Sequence, residues 1–262
     1  MLIRTNGIQM NYELSGKKDA SIVMLSHSLG SSLLMWNPQM KALELHFQVL
    51  RYDIRGHGKS EAPPGAYTLE LLGEDAVALL DILEIEKVHW IGLSMGGMIG
   101  QSVALNYPNR LRSLTLCDTG AAIAPEAQPI WQERIDAVRE KGVASQLEPT
   151  TERWFTPSFL KLNPYMLGVI REEFLATPAK GYLGCIYAIR KLNYLDRLLE
   201  IKIPTLIMVG EDDPGTPVSA SEAMHQRIPN SKLVILKSAR HLSNVEQPEI
   251  FNTNLLTFLN SL

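Results

Sequence analysis

The stretch VHWIGLSMGGMIG, residues 88–100, decides the fold, because its first half is typical of a buried strand and its second half of a helix. Between the two halves, residues 92–96 fit the pattern Gly-x-Ser-x-Gly. Gly92 and Gly96 leave room for a sharp strand-to-helix turn, which lifts the hydroxyl of Ser94 above the sheet. Backbone N–H groups at the start of the helix can stabilise a developing negative charge there. The pattern favours Ser94 as a nucleophile over a plain connecting turn.

Similar apolar runs of strand length recur along the chain and alternate with stretches of helical periodicity. This alternation predicts strands joined by crossover helices, hence an α/β fold with a mostly parallel sheet of about eight strands flanked by helices. Residues 2–6 and 9–14 alternate apolar and polar side chains around Asn6-Gly7, which predicts an opening hairpin. The predicted buried strands are residues 22–26, 47–53, 88–93, 111–118, 205–210 and 233–236, and the clearest predicted helices are residues 67–83, 95–107 and 249–259.

The alternation stops between about residues 121 and 195. This stretch has helix-like segments rich in aromatic residues and interrupted by prolines, and it contains no run typical of a buried strand. We therefore predict a helical insertion that lies over the sheet. The predicted division of the chain is an α/β core of residues 1–120 and 196–262 with a helical cap insertion of residues 121–195.

Composition limits the class of protein. The chain has 262 residues, of which 45% are hydrophobic and 20% charged, enough for one large globular domain. A net charge of -3 offers no basic surface for nucleic acid or an acidic membrane. Its two cysteines, Cys117 and Cys185, form neither a disulfide framework nor a zinc-ligand pattern. Neither a signal peptide nor a membrane-spanning run of ~20 apolar residues is visible, so we expect a cytoplasmic protein.

A nucleophilic serine needs a general base, and the base needs an acid that orients it. His241 is the favoured base, because it follows the last predicted strand on a loop where α/β sheets place catalytic groups. Three adjacent carboxylates follow the strand predicted at 205–210, and the residue types alone do not choose among Glu211, Asp212 and Asp213. The other histidines fit packing, surface or loop-structure roles better: His27, His46, His57, His89 and His225.

An oxyanion hole requires two backbone donors aimed at the tetrahedral intermediate. The N–H of Met95, directly after the nucleophile, is the first candidate. The loop His-Ser-Leu-Gly at 27–30 follows a predicted strand, and Leu29 is its best position for the second donor. Without Ser94, residues 27–30 would equally fit an ordinary connection.

These motifs resemble those of the α/β-hydrolase superfamily, in the same order and over nearly the whole chain. The resemblance implies that Ser94 is the nucleophile, His241 the base and Asp213 the acid of a catalytic triad. The motifs are HSLG at 27–30, YDIRGHGKS at 52–60, GLSMGG at 92–97, GEDDPGTP at 210–217 and HLSNVEQP at 241–248.

Within the superfamily, the chain most resembles the 3-oxoadipate enol-lactonases of the β-ketoadipate pathway, a route of aromatic catabolism. This resemblance implies hydrolysis of 3-oxoadipate enol-lactone, a small lactone with a carboxylate tail, to 3-oxoadipate. The expected partner is a small-molecule ester or lactone, with no metal, organic cofactor, nucleic acid or membrane involved. The stretches that carry the resemblance are SLG at 28–30, GLSMGGMIGQ at 92–101, RWFTP at 153–157, GY at 181–182 with Cys185, AIR at 188–190, and HLSNV at 241–245.

An acidic substrate should meet a cation near the pocket. The cap residues expected to supply it are Arg153 or Arg190, with Trp154 as an apolar wall. The chain departs from the enol-lactonases at His27, where that family often has a small or polar residue and general esterases have histidine.

Other functions are compatible with the same triad. A broad-specificity carboxylesterase or a perhydrolase of this fold would differ only in its cap, and a carbon–carbon bond hydrolase fits the cap pattern less well. A haloalkane dehalogenase would need Asp at position 94. A non-catalytic binding protein of the hydrolase fold is disfavoured, since all three triad residues and both oxyanion loops are present.

Overall fold

Eight strands form one sheet in the computed structural model, which describes all 262 residues. The strands are β1 (Leu2–Thr5), β2 (Ile8–Gly16), β3 (Ile22–Ser26), β4 (Gln48–Tyr52), β5 (Val88–Leu93), β6 (Leu111–Cys117), β7 (Thr205–Gly210) and β8 (Lys232–Leu236). Their order is β1-β2-β4-β3-β5-β6-β7-β8, in which β2 pairs antiparallel with β1 and β4 and all other pairs are parallel. The predicted mostly parallel sheet of about eight strands is therefore confirmed.

The central strands are apolar because they are buried on both faces. Every residue of β5 and β7 is buried. At the first edge of the sheet, Asn6 and Gly7 take positive φ values of 43° and 79°, which suits the two-residue turn of the predicted hairpin. The carboxyl ends of the parallel strands lie along one edge of the sheet, where this fold places its functional loops.

Helices flank the sheet and connect its strands. They are α1 (Asn37–Glu44), α2 (Leu69–Ile82), α3 (Met95–Asn106), α4 (Gln128–Lys141), α5 (Leu147–Trp154), α6 (Pro157–Leu162), α7 (Tyr165–Ala176), α8 (Ala179–Ile189), α9 (Val218–Arg227), α10 (Ser243–Glu246) and α11 (Pro248–Leu259), and the 3₁₀ segments are Leu33–Trp36, Pro108–Arg110, Pro125–Ala127, Val143–Gln146 and Leu195–Glu200. The helix predicted at 67–83 begins two residues later, because Thr68 is its N-cap and accepts a hydrogen bond from the Leu71 N–H. No helix is long and apolar enough to cross a membrane.

The chain between β6 and β7, which we call the β6–β7 segment, contains α4 to α8 and adds no strand to the sheet. Its two ends meet in an isolated β-bridge between Ala122 and Asn193. It also touches the loop after β4, where the backbones of Gly56 and Gly181 lie in direct contact. A helical insertion at this point agrees with the sequence pattern, and the division into core and cap at residues 120 and 196 stays a prediction.

Candidate active site

Ser94 lies on a strained turn between β5 and α3. Its φ is 54° and its ψ is -115°, an unfavourable conformation for a residue with a side chain. A Cβ on Gly92 would lie 2.1 Å from the carbonyl oxygen of Gly96, and one on Gly96 would lie 2.0 Å from that of Ser26. Both positions therefore require glycine, and the turn holds Ser94 at the N-terminus of α3.

The structure brings Ser94, His241 and Asp213 together. The Nε2 of His241 lies 2.8 Å from the Oγ of Ser94, and its Nδ1 lies 2.7 Å from Oδ2 of Asp213. Asp213 and His241 follow β7 and β8, so all three side chains come from loops at the same edge of the sheet. Asp213 is buried, whereas its neighbours Glu211 and Asp212 are exposed. Its burial and its hydrogen bond to His241 make Asp213 the candidate acid among the three carboxylates.

Further hydrogen bonds hold the Asp213 carboxylate in place. Its Oδ1 accepts the backbone N–H of Gly215 at 2.8 Å, and its Oδ2 accepts the hydroxyl of Thr216 at 2.6 Å. Burial raises the pKa of Asp213, but the charge and hydrogen bond of His241 outweigh burial and hold that pKa below its usual range. Burial lowers the pKa of His241, and Asp213 outweighs it in turn, so that this pKa lies above its ordinary value. The pair stabilises the imidazolium that forms when His241 accepts a proton.

Backbone donors are available where an oxyanion hole would lie. The N–H groups of Ser28 and Gly30 donate to the Sδ of Met35 and the Nε2 of His57, whereas the N–H of Leu29 has no acceptor within the protein. Met95 is the first residue of α3, and a helix provides no acceptor for the N–H at that position. Leu29 itself contributes to the wall of the cavity that contains Ser94.

A cavity of about 350 Å³ opens onto the triad. Half of its lining residues are hydrophobic, and the lining comes from the loops after β3, β5, β7 and β8, from α3 and from the β6–β7 segment. Trp154, a predicted wall residue, is among them and packs edge-on against Phe174 with ring centroids 5.8 Å apart. The volume suits a small organic molecule.

Two arginines line this cavity, and neither has a carboxylate partner: Arg134 and Arg153. The guanidinium of Arg134 lies over the ring of Trp131 at 4.4 Å, and Arg153 donates to the hydroxyl of Thr150 at 2.9 Å. Burial and the neighbouring charge of Arg134 lower the pKa of Arg153 to about 10. Two positive charges in a largely apolar cavity without a counter-charge favour an anionic ligand.

The other predicted cation, Arg190, does not line the cavity. It lies at the C-terminal end of α8, where it donates to the side-chain oxygens of Gln128 and Gln132 at 2.9 Å each. Those two glutamines occupy the start of α4 and face α8. Of the two predicted cations, the structure therefore brings Arg153 to the cavity and not Arg190, because packing of α4 on α8 engages the guanidinium of Arg190 elsewhere.

Comparison with known proteins agrees with this geometry. A family model described as the alpha/beta hydrolase fold matches residues 21–248. The chain belongs to the α/β-hydrolase family. The 3-oxoadipate enol-lactonase 2 of Acinetobacter baylyi is 37% identical to this α/β-hydrolase over 94% of this chain and 91% of that protein.

Solved structures of related α/β-hydrolases are similar over almost their whole length. The enol-lactonase from Burkholderia xenovorans LB400 is 36% identical with a TM-score of 0.95, over 99% of this chain and 100% of that one. A hydrolase from Pseudomonas aeruginosa is 40% identical with a TM-score of 0.94, over 99% of this chain and 97% of that one. The predicted superfamily and the resemblance to the enol-lactonases are confirmed.

Most of the cavity lining of this α/β-hydrolase was not predicted from its sequence, and it includes Trp131 and Arg134. Their spacing of three residues on α4 places them on one helix face, which is the signal that could have paired them. Of the remaining histidines, His89 is buried against the hydroxyl of Ser113, and His225 is exposed. No group of three or more His, Cys, Asp or Glu side chains is arranged to hold a metal ion.

Proposed function

We propose that this protein is a serine hydrolase that opens 3-oxoadipate enol-lactone to 3-oxoadipate through Ser94, His241 and Asp213. The observation that carries the proposal is that one cavity is lined by Ser94 and His241 of a hydrogen-bonded Ser–His–Asp chain and by two arginines without counter-ions. The first feature suits attack on an ester carbonyl, and the second suits a substrate with a carboxylate. The named enol-lactonases among its relatives support the same substrate class.

In the first half of the reaction, the Oγ of Ser94 attacks the ring carbonyl while the Nε2 of His241 accepts the hydroxyl proton. The negative charge moves to the carbonyl oxygen, which the N–H groups of Leu29 and Met95 stabilise. The ring C–O bond then breaks and His241 returns the proton to the enol oxygen. The enol ketonises while the ring-opened substrate remains bound to Ser94 as an acyl-enzyme.

In the second half, water attacks the acyl carbonyl and gives its proton to His241. The tetrahedral intermediate collapses, Ser94 regains its proton, and 3-oxoadipate leaves. Asp213 stabilises the imidazolium in both halves, which is why its pKa must stay low while that of His241 is raised.

The carboxylate tail of the lactone would lie against Arg134 and Arg153. Both guanidiniums lie on the β6–β7 segment, whereas the nucleophile lies on the turn after β5. The substrate would therefore extend from the edge of the sheet to the β6–β7 segment. Trp154 would supply the apolar wall beside the ring. A simple acetate ester lacks the anionic tail and would gain nothing from the two arginines.

The decisive experiment compares hydrolysis of enzymatically generated 3-oxoadipate enol-lactone with that of an aryl acetate, with Ser94→Ala as the blank. We expect lactone kcat/KM in the range ~10⁴–10⁸ M⁻¹s⁻¹ and far weaker acetate turnover. Hydrolysis of the acetate alone would leave the triad chemistry intact and refute the substrate. If neither compound reacts and an organophosphate does not label Ser94, the hydrolase proposal itself fails.

A further inference from the structure

A buried carboxylate lies behind the triad, at the end of β6. Asp118 has no exposed surface, and its φ of 43° lies in the left-handed region that residues with side chains rarely adopt. Its backbone N–H donates to the carbonyl oxygen of Met208 on β7 at 2.8 Å. Backbone strain of this kind persists only where surrounding contacts impose it, and it often marks a functional region.

The carboxyl of Asp118 connects two triad loops. Its Oδ1 accepts the backbone N–H of Gly210 at 2.8 Å, and its Oδ2 is hydrogen-bonded to the hydroxyl of Ser243 at 2.5 Å. Gly210 is the last residue of β7 and lies three residues before Asp213. Ser243 lies two residues after His241. One side chain therefore joins the loop of the acid to the loop of the base.

The neighbours of Asp118 bind the third loop, which carries the nucleophile. The N–H of Ser94 donates to the carbonyl oxygen of Cys117 at 2.9 Å, and the hydroxyl of Thr119 donates to the carbonyl oxygen of Ser94 at 2.8 Å. Residues 117–119 thus contact all three loops that carry triad residues.

We propose that Asp118 is a positioning residue whose carboxyl holds the Asp213 and His241 loops in register. The inference rests on the proposed serine-hydrolase function and adds a residue outside the triad to it. Asp118 touches neither substrate nor reacting atoms. It acts through the 2.7 Å and 2.8 Å hydrogen bonds of the triad, which depend on the relative placement of the two loops.

The surroundings of Asp118 favour the protonated form. Burial and the negative charge of Asp213 raise the pKa of Asp118 to about 8, against the opposing effects of His241, Ser243 and Gly210. The titratable groups beside it are Cys117, Asp213 and His241. In the structure Oδ2 accepts the hydroxyl of Ser243. When protonated, Oδ2 can donate to that hydroxyl instead, while Oδ1 still accepts from Gly210. Both loops are then held without a second negative charge beside the base.

This assignment makes the amide the matched replacement. In Asp118→Asn the side-chain oxygen can accept from Gly210 and the NH₂ group can donate to Ser243, as the neutral acid does. Asp118→Ala loses both bonds. Thr115→Val is the control on the same strand, because the Thr115 hydroxyl is buried without a hydrogen-bond partner.

The test measures kcat and KM for the substrate that wild type hydrolyses in a Ser94-dependent reaction. We expect Asp118→Ala to lower kcat about 100-fold through misplaced triad groups, with KM changed less than about 3-fold. Asp118→Asn should recover kcat to within about 3-fold of wild type, and Thr115→Val should match wild type. If Asp118 were only structural, Asp118→Ala would lower the melting temperature, but the kcat of the protein that remains folded would equal that of wild type.

Other outcomes overturn the inference. Wild-type kcat in Asp118→Ala shows that the bridge has no catalytic role, and equal loss of kcat in the alanine and asparagine variants shows that the two hydrogen bonds of the side chain are not what positions the loops. If Asp118→Ala does not fold, Ser243→Ala decides, since it removes only the bond to the His241 loop: kcat should fall about 10-fold at similar KM. Hydrolysis that survives Ser94→Ala instead refutes the proposed function.

Discussion

His27 and His57 accept hydrogen bonds from each other's loops. The N–H of Ile54 donates to the Nε2 of His27 at 2.9 Å, and the N–H of Gly30 donates to the Nε2 of His57 at 2.9 Å, with the two rings 5.4 Å apart. Because both Nε2 atoms are acceptors, each ring is neutral and carries its proton on Nδ1. The pair joins the loop of Leu29, the candidate oxyanion donor, to the loop after β4.

The histidine pair predicts a loss of stability in acid. Burial lowers the pKa of His27 to about 4, and burial together with the charge of His27 lowers that of His57 to about 3. Below pH ~6.5 the unfolded chain binds protons that the folded protein does not. The free energy of unfolding therefore decreases as the pH is lowered. Between pH 6.5 and 5 we expect a loss of about 2 kcal/mol for each histidine, measured by urea denaturation.

A histidine substitution checks the source of that pH dependence. His57→Gln removes one buried titrating group and should weaken the dependence of stability on pH, although it lowers stability at neutral pH. His225→Gln, at an exposed histidine, should leave the dependence as in wild type. Equal dependence in both variants would contradict the assignment to the buried pair.

The cavity arginines predict a split between two substrates. Arg134→Ala and Arg153→Ala should each raise KM for the anionic lactone about 10–100-fold, because each removes a charge-assisted hydrogen bond of ~1.5–3 kcal/mol. KM for a neutral aryl acetate should hardly change. Arg190→Ala is the matched control and should behave as wild type, since its guanidinium contacts two glutamines. Steady-state kinetics on both substrates decides, and an unchanged lactone KM in both cavity variants rules out this anion site.

The Asp213–His241 pair predicts the acid side of the pH profile. His241 must be neutral to accept a proton, and Asp213 raises the pKa of that imidazole against the effect of burial. Hence kcat/KM should fall as pH drops through a midpoint above about 6.5. Asp213→Asn should move the midpoint to lower pH and reduce kcat by about 10⁴. A series of pH–rate profiles on both proteins tests this. An identical midpoint in the variant would show that Asp213 does not raise the pKa of His241.

The Gly56–Gly181 contact predicts how the β6–β7 segment depends on the loop after β4. A Cβ on Gly181 would lie 2.1 Å from the carbonyl oxygen of Gly56, so Gly181→Ala forces two backbones apart and should cost ~1–3 kcal/mol or more. Gly168, within α7, has no atom near its would-be Cβ, and Gly168→Ala should stabilise by ~0.4–1 kcal/mol. Urea denaturation of the two variants measures their free energies of unfolding. Equal values would show that the backbones at Gly56 and Gly181 can move apart without cost.

Local sequence patterns predicted most of the strands and helices. The apolar run of residues 88–93 matches β5 residue for residue, and the run of 205–210 matches β7, because strands buried on both faces need continuous apolar sequence. The turn at Ser94 was also readable, because its two glycines flank the serine in the sequence, although the contact that requires Gly96 comes from Ser26 on the neighbouring strand β3. Element ends shifted where a side chain caps the backbone, as Thr68 does at α2.

The sequence did not predict which side chains from different helices point into the same cavity. Arg134, Arg153 and Arg190 all lie on or beside helices of the β6–β7 segment, and their sequence context does not tell which guanidiniums share a cavity. The packing of α4 against α8 decided it, since Gln128 and Gln132 there engage Arg190. Contacts of this kind join residues about 60 positions apart, beyond any helical or strand period.

The sequence by itself determined the order of strands and helices along the chain, the position of the Ser94 turn and the loops that carry His241 and the acidic cluster, because each is marked by a pattern of residues within a short stretch. The tertiary structure decided the rest. It buried Asp213 rather than Glu211 or Asp212, brought two unpaired arginines to the triad, and set the Asp118 carboxyl between two of its loops. Those choices depend on burial and on which charges find partners, which are properties of the whole packed chain.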